Sequence, residues 1–328
     1  MKLLIITNNP DRASFRQRVE VYLDLLAEGG IDCEVKKFPS DLFGRRKLLL
    51  SSDQYDAVFL QKRRLNPLDV LSLRGRCKKI IYDFDDAIMF NDKFPEKLSS
   101  KRQNDFKRTV KLADTVICGN RFLSEQTQRY NSNVEVLPTG LDIKPYDLRG
   151  VREDSLVRLV WIGSKSTLMY LYGIKAALEQ IGAMCDNVVL RIICDAFFDL
   201  DNMPVEKCEW SLQTQARYLV GSDIGLAPLP DNNFTKGKCG FKILQYQAAG
   251  LATVASPVGV NAELVEPGQT GFHAVDEGQW IEKIQTLVTD AQLRESMRTN
   301  SLQTVKDFDL PIIGHRLCQI IRNVIETP

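Results

Sequence analysis

Three groups of residues in this 328-residue chain have the types and spacing to do chemistry. The densest lies within residues 234–261, where Lys236, Gly237, Lys238 and Gly240 make a Gly- and Lys-rich loop that leads into an amphipathic run from Phe241 to Gly250. Such a loop entering a helix leaves N–H groups and a positive dipole end facing outward, and phosphate suits both. Lys238 and Lys242 add point charges there, and a second tight loop, Ser256-Pro257-Val258-Gly259, follows the next apolar run. The second group is Asp83, Asp85 and Asp86, three carboxylates in four residues directly after an apolar run. They repel one another unless something binds them or water solvates them. Asp85 or Asp86 could orient a hydroxyl; in the plainer reading Asp86 caps a helix while Asp83 and Asp85 are solvated. A bound metal is a third option, which oxygen ligands alone do not fix. The third group is Arg16 and Arg18, expected at the start of the first helix, where the dipole opposes them. That points to an anion that offsets them or to an exposed face.

These groups need elements to hold them. Apolar runs at 2–7, 57–60, 79–82, 115–118 and 134–137 alternate with helical or loop-like stretches, the first of them a helix at 16–27 with Val19, Tyr22, Leu23 and Leu26 on one side. After a polar stretch at 144–155 the pattern restarts, with strands at 158–162, 188–193, 224–227 and 252–255 and helices at 168–180, 241–249 and 280–288. Strand, helix, strand in steady alternation means parallel sheets covered on both faces. The expected fold class is α/β, two tandem Rossmann-like doubly wound domains facing a cleft. The first covers 1–147 and the second 148–310, with a terminal helix at 311–328 that could pack back on the first. Chemistry in such sheets belongs to the loops after strands.

Composition narrows the function. No run of eighteen apolar residues exists and the opening residues are too quickly polar for a signal peptide, which makes a cytoplasmic location the expectation. Eight scattered cysteines read as small apolar residues, and two histidines, His273 and His315, exclude a His-rich metal site. Both histidines read as structural, and Trp161 and Phe241 read more readily as core than as stacking residues. Residues 1–150 carry 27 Lys+Arg against 21 Asp+Glu, which favours the first half for meeting an anion, although differing solvated faces explain it equally. Nucleic acid fits poorly, since no basic face is interleaved with aromatics.

The order of several segments resembles the retaining family-4 glycosyltransferases of the GT-B fold. Besides the 234–261 stretch, Pro138-Thr139-Gly140-Leu141-Asp142 is similar to the family's P-x-G-(I/V/L)-D, and the segment from Trp161 and Gly163 to Thr167 to its first loop in the second domain. Glu266-Pro267-Gly268-Gln269-Thr270-Gly271-Phe272 resembles its E-x-G-x-x-G-F turn, Ser14-Phe15-Arg16-Gln17-Arg18 its S-x-R-x-R, and Tyr82-Asp83-Phe84-Asp85-Asp86-Ala87 its Y-D-x-D-D-A. The resemblance spans residues 1–272 and implies a sugar moved from a nucleotide diphosphate on the second domain to a hydroxyl of a glycan or lipid-linked acceptor on the first, with retention. It implies no cofactor beyond the nucleotide sugar and no metal. Gly163, Ser164 and Thr167 would lie against the diphosphate, with Arg16, Lys238, Gly240 and Phe241 at the donor. Lys242 would stabilise the leaving group, and Asp85 or Asp86 would hold the acceptor.

Two departures stand out. Where many members carry two glutamates eight positions apart, this chain has Gly237 and Gln245. Gln245 can still bond a ribose hydroxyl as a neutral amide, while Asp231 or Asn233 could replace the missing sugar contact. No histidine lies in the first domain. These departures keep alive a catalytically silent nucleotide- or glycan-binding subunit, and the architecture a sugar-nucleotide epimerase. Residues 36–38 and 43–50 mix basic and apolar side chains, as a peripheral contact with an anionic membrane would, or an ordinary helix with one buried face.

Overall fold

The computed structural model describes residues 1–147 and 154–327. It forms two units, Met1–Gly140 with Asn232–Cys239 and Leu310–Pro328, and Leu141–Asp231 with Gly240–Asp309. The boundary expected at 147/148 thus falls seven residues earlier, at Gly140, where the backbone N–H donates to the Tyr22 hydroxyl at 3.0 Å within the first unit. Residues 148–153 of the expected linker lie outside the described residues.

The first unit is built on six parallel strands, β1 (Lys2–Thr7), β2 (Asp32–Lys37), β3 (Ala57–Gln61), β4 (Ile80–Phe84), β5 (Thr115–Cys118) and β6 (Val134–Val136), in the order β2-β1-β3-β4-β5-β6. Because successive side chains point to opposite faces, Leu4, Ile6, Leu60 and Tyr82 feed one core while Leu3, Ile5, Phe59 and Ile81 feed the other. The second core is completed by the helix Leu310–Glu326, whose Ile313, Leu317, Ile321 and Val324 fall on one face.

The second unit has β7 (Val157–Ile162), β8 (Val188–Cys194), β9 (Val205–Glu209), β10 (Ile224–Ala227), β11 (Ala252–Ala255) and β12 (Gly271–His273), all parallel, in the order β12-β11-β10-β7-β8-β9. Strand order reverses between β1 and β3 in one sheet and between β7 and β10 in the other. The crevice outside the carboxyl ends at such a point is where α/β sheets take ligands.

Three expectations about elements change. The helix expected at 16–27 is three pieces, Ala13–Arg18, Glu20–Tyr22 and Leu23–Glu28, broken at Val19, yet Phe15, Val19, Tyr22 and Leu26 all stay buried. Periodicity records the buried side, which a local break preserves. The run at 168–180 divides at Gly173 into Leu168–Tyr172 and Lys175–Met184, consistent with glycine's poor helix propensity. Strands β2 and β9 were not among the apolar runs because both are sheet edges with largely polar sequences, DCEVKK and VEKCE.

Ile321 is fully buried. Ile321→Ala should therefore destabilise the protein by about 2–5 kcal/mol, seen as a lower urea midpoint by circular dichroism; an unchanged midpoint would mean this helix face contributes nothing.

Candidate functional site

At the carboxyl edge of the first sheet the three aspartates separate. Asp83 is the last inward position of β4 on the face of the Ala13–Arg18 helix, and Arg18 meets it there, both residues buried, while also donating to the Leu137 carbonyl at 2.7 Å. Burial pushes the Asp83 carboxyl up from its ordinary value. It also opposes the charge on Arg18, but the adjoining carboxylate prevails and raises the guanidinium's pKa. Arg18 lies in the last turn of its helix, where the dipole favours a cation, and its counter-charge belongs to the chain itself. The anion expected to offset Arg18 is thus Asp83, and Asp83 is not solvated. Arg16 occupies the same last turn, half-buried.

Asp85 and Asp86 turn the other way, onto Lys62, whose ammonium lies 2.9 Å from Asp85 Oδ1 and pairs with Asp86 as well. Burial opposes the Lys62 charge, yet the two carboxylates raise its pKa. Lys62 follows β3 with φ of 55°, a left-handed conformation unusual for a side chain with a Cβ, and Asn8 after β1 donates to its carbonyl at 3.4 Å. The repulsion expected within the cluster is therefore offset twice over, by Arg18 and by Lys62. Asp86 caps no helix: the next one, Ser100–Leu112, is capped by Ser99. Sequence reasoning missed Lys62, the first of three basic residues after an apolar run, because only the β3–β4 pairing brings it to the aspartates.

The Gly- and Lys-rich loop is divided between the units. Asn232–Cys239 belongs to the first unit, where Asn120 donates to the carbonyls of Lys236 and Lys238 at 3.3 and 2.9 Å and the Cys239 thiol donates to the Asp85 carbonyl at 3.0 Å. A Cβ on Gly237 would lie 2.5 Å from Ala87 Cβ, so no glutamate fits at this position. Lys238 extends over the Phe234 ring. Asn233 lies in this segment, whereas Asp231 is exposed in the second unit.

In the second unit, Gly163 follows β7 and a turn closes behind it: Ser164 N–H donates to Thr167 Oγ1 at 3.2 Å, and that hydroxyl donates back to the Ser164 carbonyl at 3.0 Å. Lys165 N–H donates to Asp195 at the end of β8, 2.6 Å away. The space of a Cβ on Gly163 is filled by the Trp161 ring, and the Lys242 ammonium stands 4.0 Å from the centroid of that ring. Trp161 is fully buried core, as its sequence context suggests, but it also carries the lysine. Lys242 sits in the first turn of the helix Phe241–Ala248, whose N-cap Gly240 has φ of 65° and offers no capping side chain. The positive dipole end of this helix favours an anion. Gly163, Ser164, Thr167, Gly240, Phe241 and Lys242 thus share one unit with Gln245; Arg16, Asp85, Asp86 and Lys238 share the other. Gln245 is buried and donates to the Tyr146 hydroxyl and to Gln215 Oε1, each at 3.1 Å, so both amide protons are used and only its carbonyl oxygen is left to accept a hydrogen bond. The Glu266–Gly271 turn is structural: Gly268 has φ of 79°, and Thr253 fills the space of a Gly271 Cβ.

Asp83→Asn would leave Arg18 buried without its counter-charge. A loss of about 3–5 kcal/mol in urea unfolding is expected; a loss under about 1 kcal/mol, the range of surface pairs, would contradict a dry ion pair.

Residues 157–290 match the family model of glycosyl transferases group 1. No curated protein matches by sequence. HepE of Anabaena, solved with UDP, aligns with 98% of this chain and 100% of its own at 16% identity and a TM-score of 0.73. Sucrose-phosphate synthase from Thermosynechococcus elongatus aligns over 98% of both chains at 14% identity and a TM-score of 0.76. WaaG, a glycosyltransferase involved in lipopolysaccharide biosynthesis, aligns over 97% of this chain and 99% of its own at 13% identity and a TM-score of 0.67. At such identities the likeness establishes the fold. Residues 157–290 thus match the glycosyl transferases group 1, in a chain with the GT-B fold of two Rossmann-like units.

Proposed function

We propose that this glycosyltransferase moves a sugar from a nucleotide diphosphate to a hydroxyl of a glycan or lipid-linked acceptor, with retention, in the cytoplasm. The observation that carries the donor half is Lys242 standing on Trp161 beside the Gly163–Thr167 turn, at the strand-order reversal of the domain that matches the family. Breaking a sugar–phosphate bond puts growing negative charge on the departing diphosphate, and cations and N–H groups fixed in advance act most where charge develops. UDP is the first nucleotide to test, since HepE is solved with both UDP and UDP-glucose. The Gln245 oxygen would take a ribose hydroxyl.

On the first unit, Asp85 and Asp86, held by Lys62, would accept a hydrogen bond from the acceptor hydroxyl. As the sugar–phosphate bond breaks, the acceptor oxygen bonds to the sugar carbon on the same face. Its proton passes to the departing diphosphate oxygen, so no protein nucleophile is required. The protein's part is to position the reactants and stabilise charge. A lipid-linked acceptor would be met at a membrane. No helix among the described residues is long and apolar enough to cross one, but the packed helices Leu42–Leu50 and Pro67–Arg74 expose Leu42, Phe43, Leu68 and Leu71 alongside Arg46, Lys47 and Arg74. Exposed apolar side chains on the same helices as cations suit an anionic lipid surface.

Lys242→Ala should lower kcat about 100- to 1000-fold in a UDP-sugar turnover assay and abolish the rise in Tm that UDP gives the wild type. Turnover equal to wild type would remove Lys242 from the mechanism. Flotation with phosphatidylglycerol vesicles should recover the protein, and Phe43→Asp should prevent it; equal recovery of both proteins would place any membrane contact elsewhere.

A further inference from the structure

The loop after β3 continues past Lys62 into Arg63 and Arg64, and the proposed chemistry uses neither. Arg63 is half-buried, with its guanidinium 4.2 Å from the centroid of the Phe38 ring and one nitrogen donating to Asn8 Oδ1 at 3.0 Å. Its Nε is buried with no partner. Arg64 is half-buried and has no hydrogen bond or ion pair among the described residues. Tyr82, on β4 and fully buried, has a hydroxyl without a partner and lies in the electrostatic reach of both arginines.

The surroundings do not neutralise these cations. Asp69 is taken by Asn66 at 2.7 Å and by Arg45 at 3.6 Å, and Asp105 by Arg108 at 2.7 Å. Arg102 adds a further charge facing Arg64, its own guanidinium bonded, among the described residues, only to the Phe90 carbonyl at 2.8 Å. Burial lowers the pKa of both Arg63 and Arg64, and neighbouring guanidinium groups lower them further. Five arginines thus face two carboxylates that are already paired. A cation taken partly out of water without an anion is disfavoured, and buried polar atoms without a partner, here Arg63 Nε and the Tyr82 hydroxyl, point to an absent ligand. The loop itself is fixed, since Leu65 N–H donates to Thr109 Oγ1 at 2.8 Å and Arg108 donates to the Leu65 carbonyl at 3.3 Å.

We propose that Arg63 and Arg64 form a phosphoryl-binding subsite on the first unit, which takes a phosphate or diphosphate group carried by the acceptor. It rests on the reading of this unit as the acceptor side. Lys62 links the two functions: its side chain holds Asp85 and Asp86 for the hydroxyl, while the next two residues present guanidinium groups to the anion, all at the strand-order reversal of the sheet. Guanidinium forks suit phosphoryl oxygens because they can donate in pairs.

The test is thermal unfolding of the full chain at constant ionic strength, with sodium pyrophosphate added over saturating UDP so that the donor site is filled. Wild type should show a rise in Tm that grows with pyrophosphate, and Arg64→Ala should lose it while keeping its response to UDP. Without added anion, Arg64→Ala should melt no lower than wild type, because it removes an uncompensated charge. No pyrophosphate response in wild type, an undiminished one in Arg64→Ala, or a lower Tm of the unliganded variant would each overturn the subsite. A response to glucuronate but not to pyrophosphate would overturn its assignment to phosphoryl groups. Failure of UDP to shift wild type, with the pyrophosphate response intact, would count against the donor reading alone.

Discussion

A guanidinium and a carboxylate taken out of water together decide how the carboxyl edge of the first sheet is arranged. Arg18 joins the first helix, the end of β4 and the Leu137 carbonyl in one place. It can stay charged there only because Asp83 is beside it, and Asp83 only because Arg18 is. With Asp83 committed inward, the remaining two carboxylates of the cluster need a different cation, and Lys62 supplies it from the neighbouring strand. A cluster that would otherwise repel itself becomes two separate ion-paired arrangements, one dry and structural, the other half-buried. Strand alternation makes the division: Asp83 shares a face with Ile81, while Asp85 and Asp86 lie beyond the strand's end.

Close approach does comparable work elsewhere. Gly237, Gly163 and Gly140 each stand where a neighbour already occupies the space of a Cβ, respectively Ala87, Trp161 and the Tyr22 hydroxyl. At Gly237 the resemblance implies a carboxylate that this chain lacks, and Ala87 occupies the space its Cβ would need, so the glycine goes together with the packing of the loop on the first unit. Gly163 serves differently: without a Cβ there, the Trp161 ring can lie beneath the turn and carry Lys242 on its face.

Much of this was legible in the sequence, for identifiable reasons. The parallel sheets follow from strong apolar runs, and the motif segments lie at the carboxyl ends of β4, β7 and β11 because such runs end where polar loops begin. Polar edge strands β2 and β9 carry no such run, and the first helix keeps its buried side through a break that periodicity does not register. Residues adjacent in sequence proved the least safe inference. Lys238 and Lys242 are four positions apart yet belong to different units, and Asp83 and Asp85 are two apart yet have different partners. Long-range pairs such as Lys62 with Asp86, or Trp161 beneath Lys242, come from register and packing, which a single sequence does not display.

The treatment of arginine distinguishes scaffold from site. In the second unit, Arg158 meets Asp154 at 2.8 Å and Glu206 at 3.0 Å, and Arg191 shares Glu206 at 2.6 Å. Where a buried or half-buried guanidinium only has to be stable, this chain provides carboxylates for it. Among the described residues none pairs with Arg64: Asp105 is close enough to be felt by Arg64 and Asp69 by Arg63, but both carboxylates are committed to other arginines. Lys62 adds a left-handed backbone conformation one residue after β3. Strain and uncompensated charge in the same short loop run against every local preference for stability, and a fold retains such features where a ligand completes them. In the second unit the carboxyl edge instead offers a lysine held on an aromatic face and an uncapped helix start. The two sheets therefore present cations by opposite means, the first through charge left unpaired and the second through charge held in place by packing.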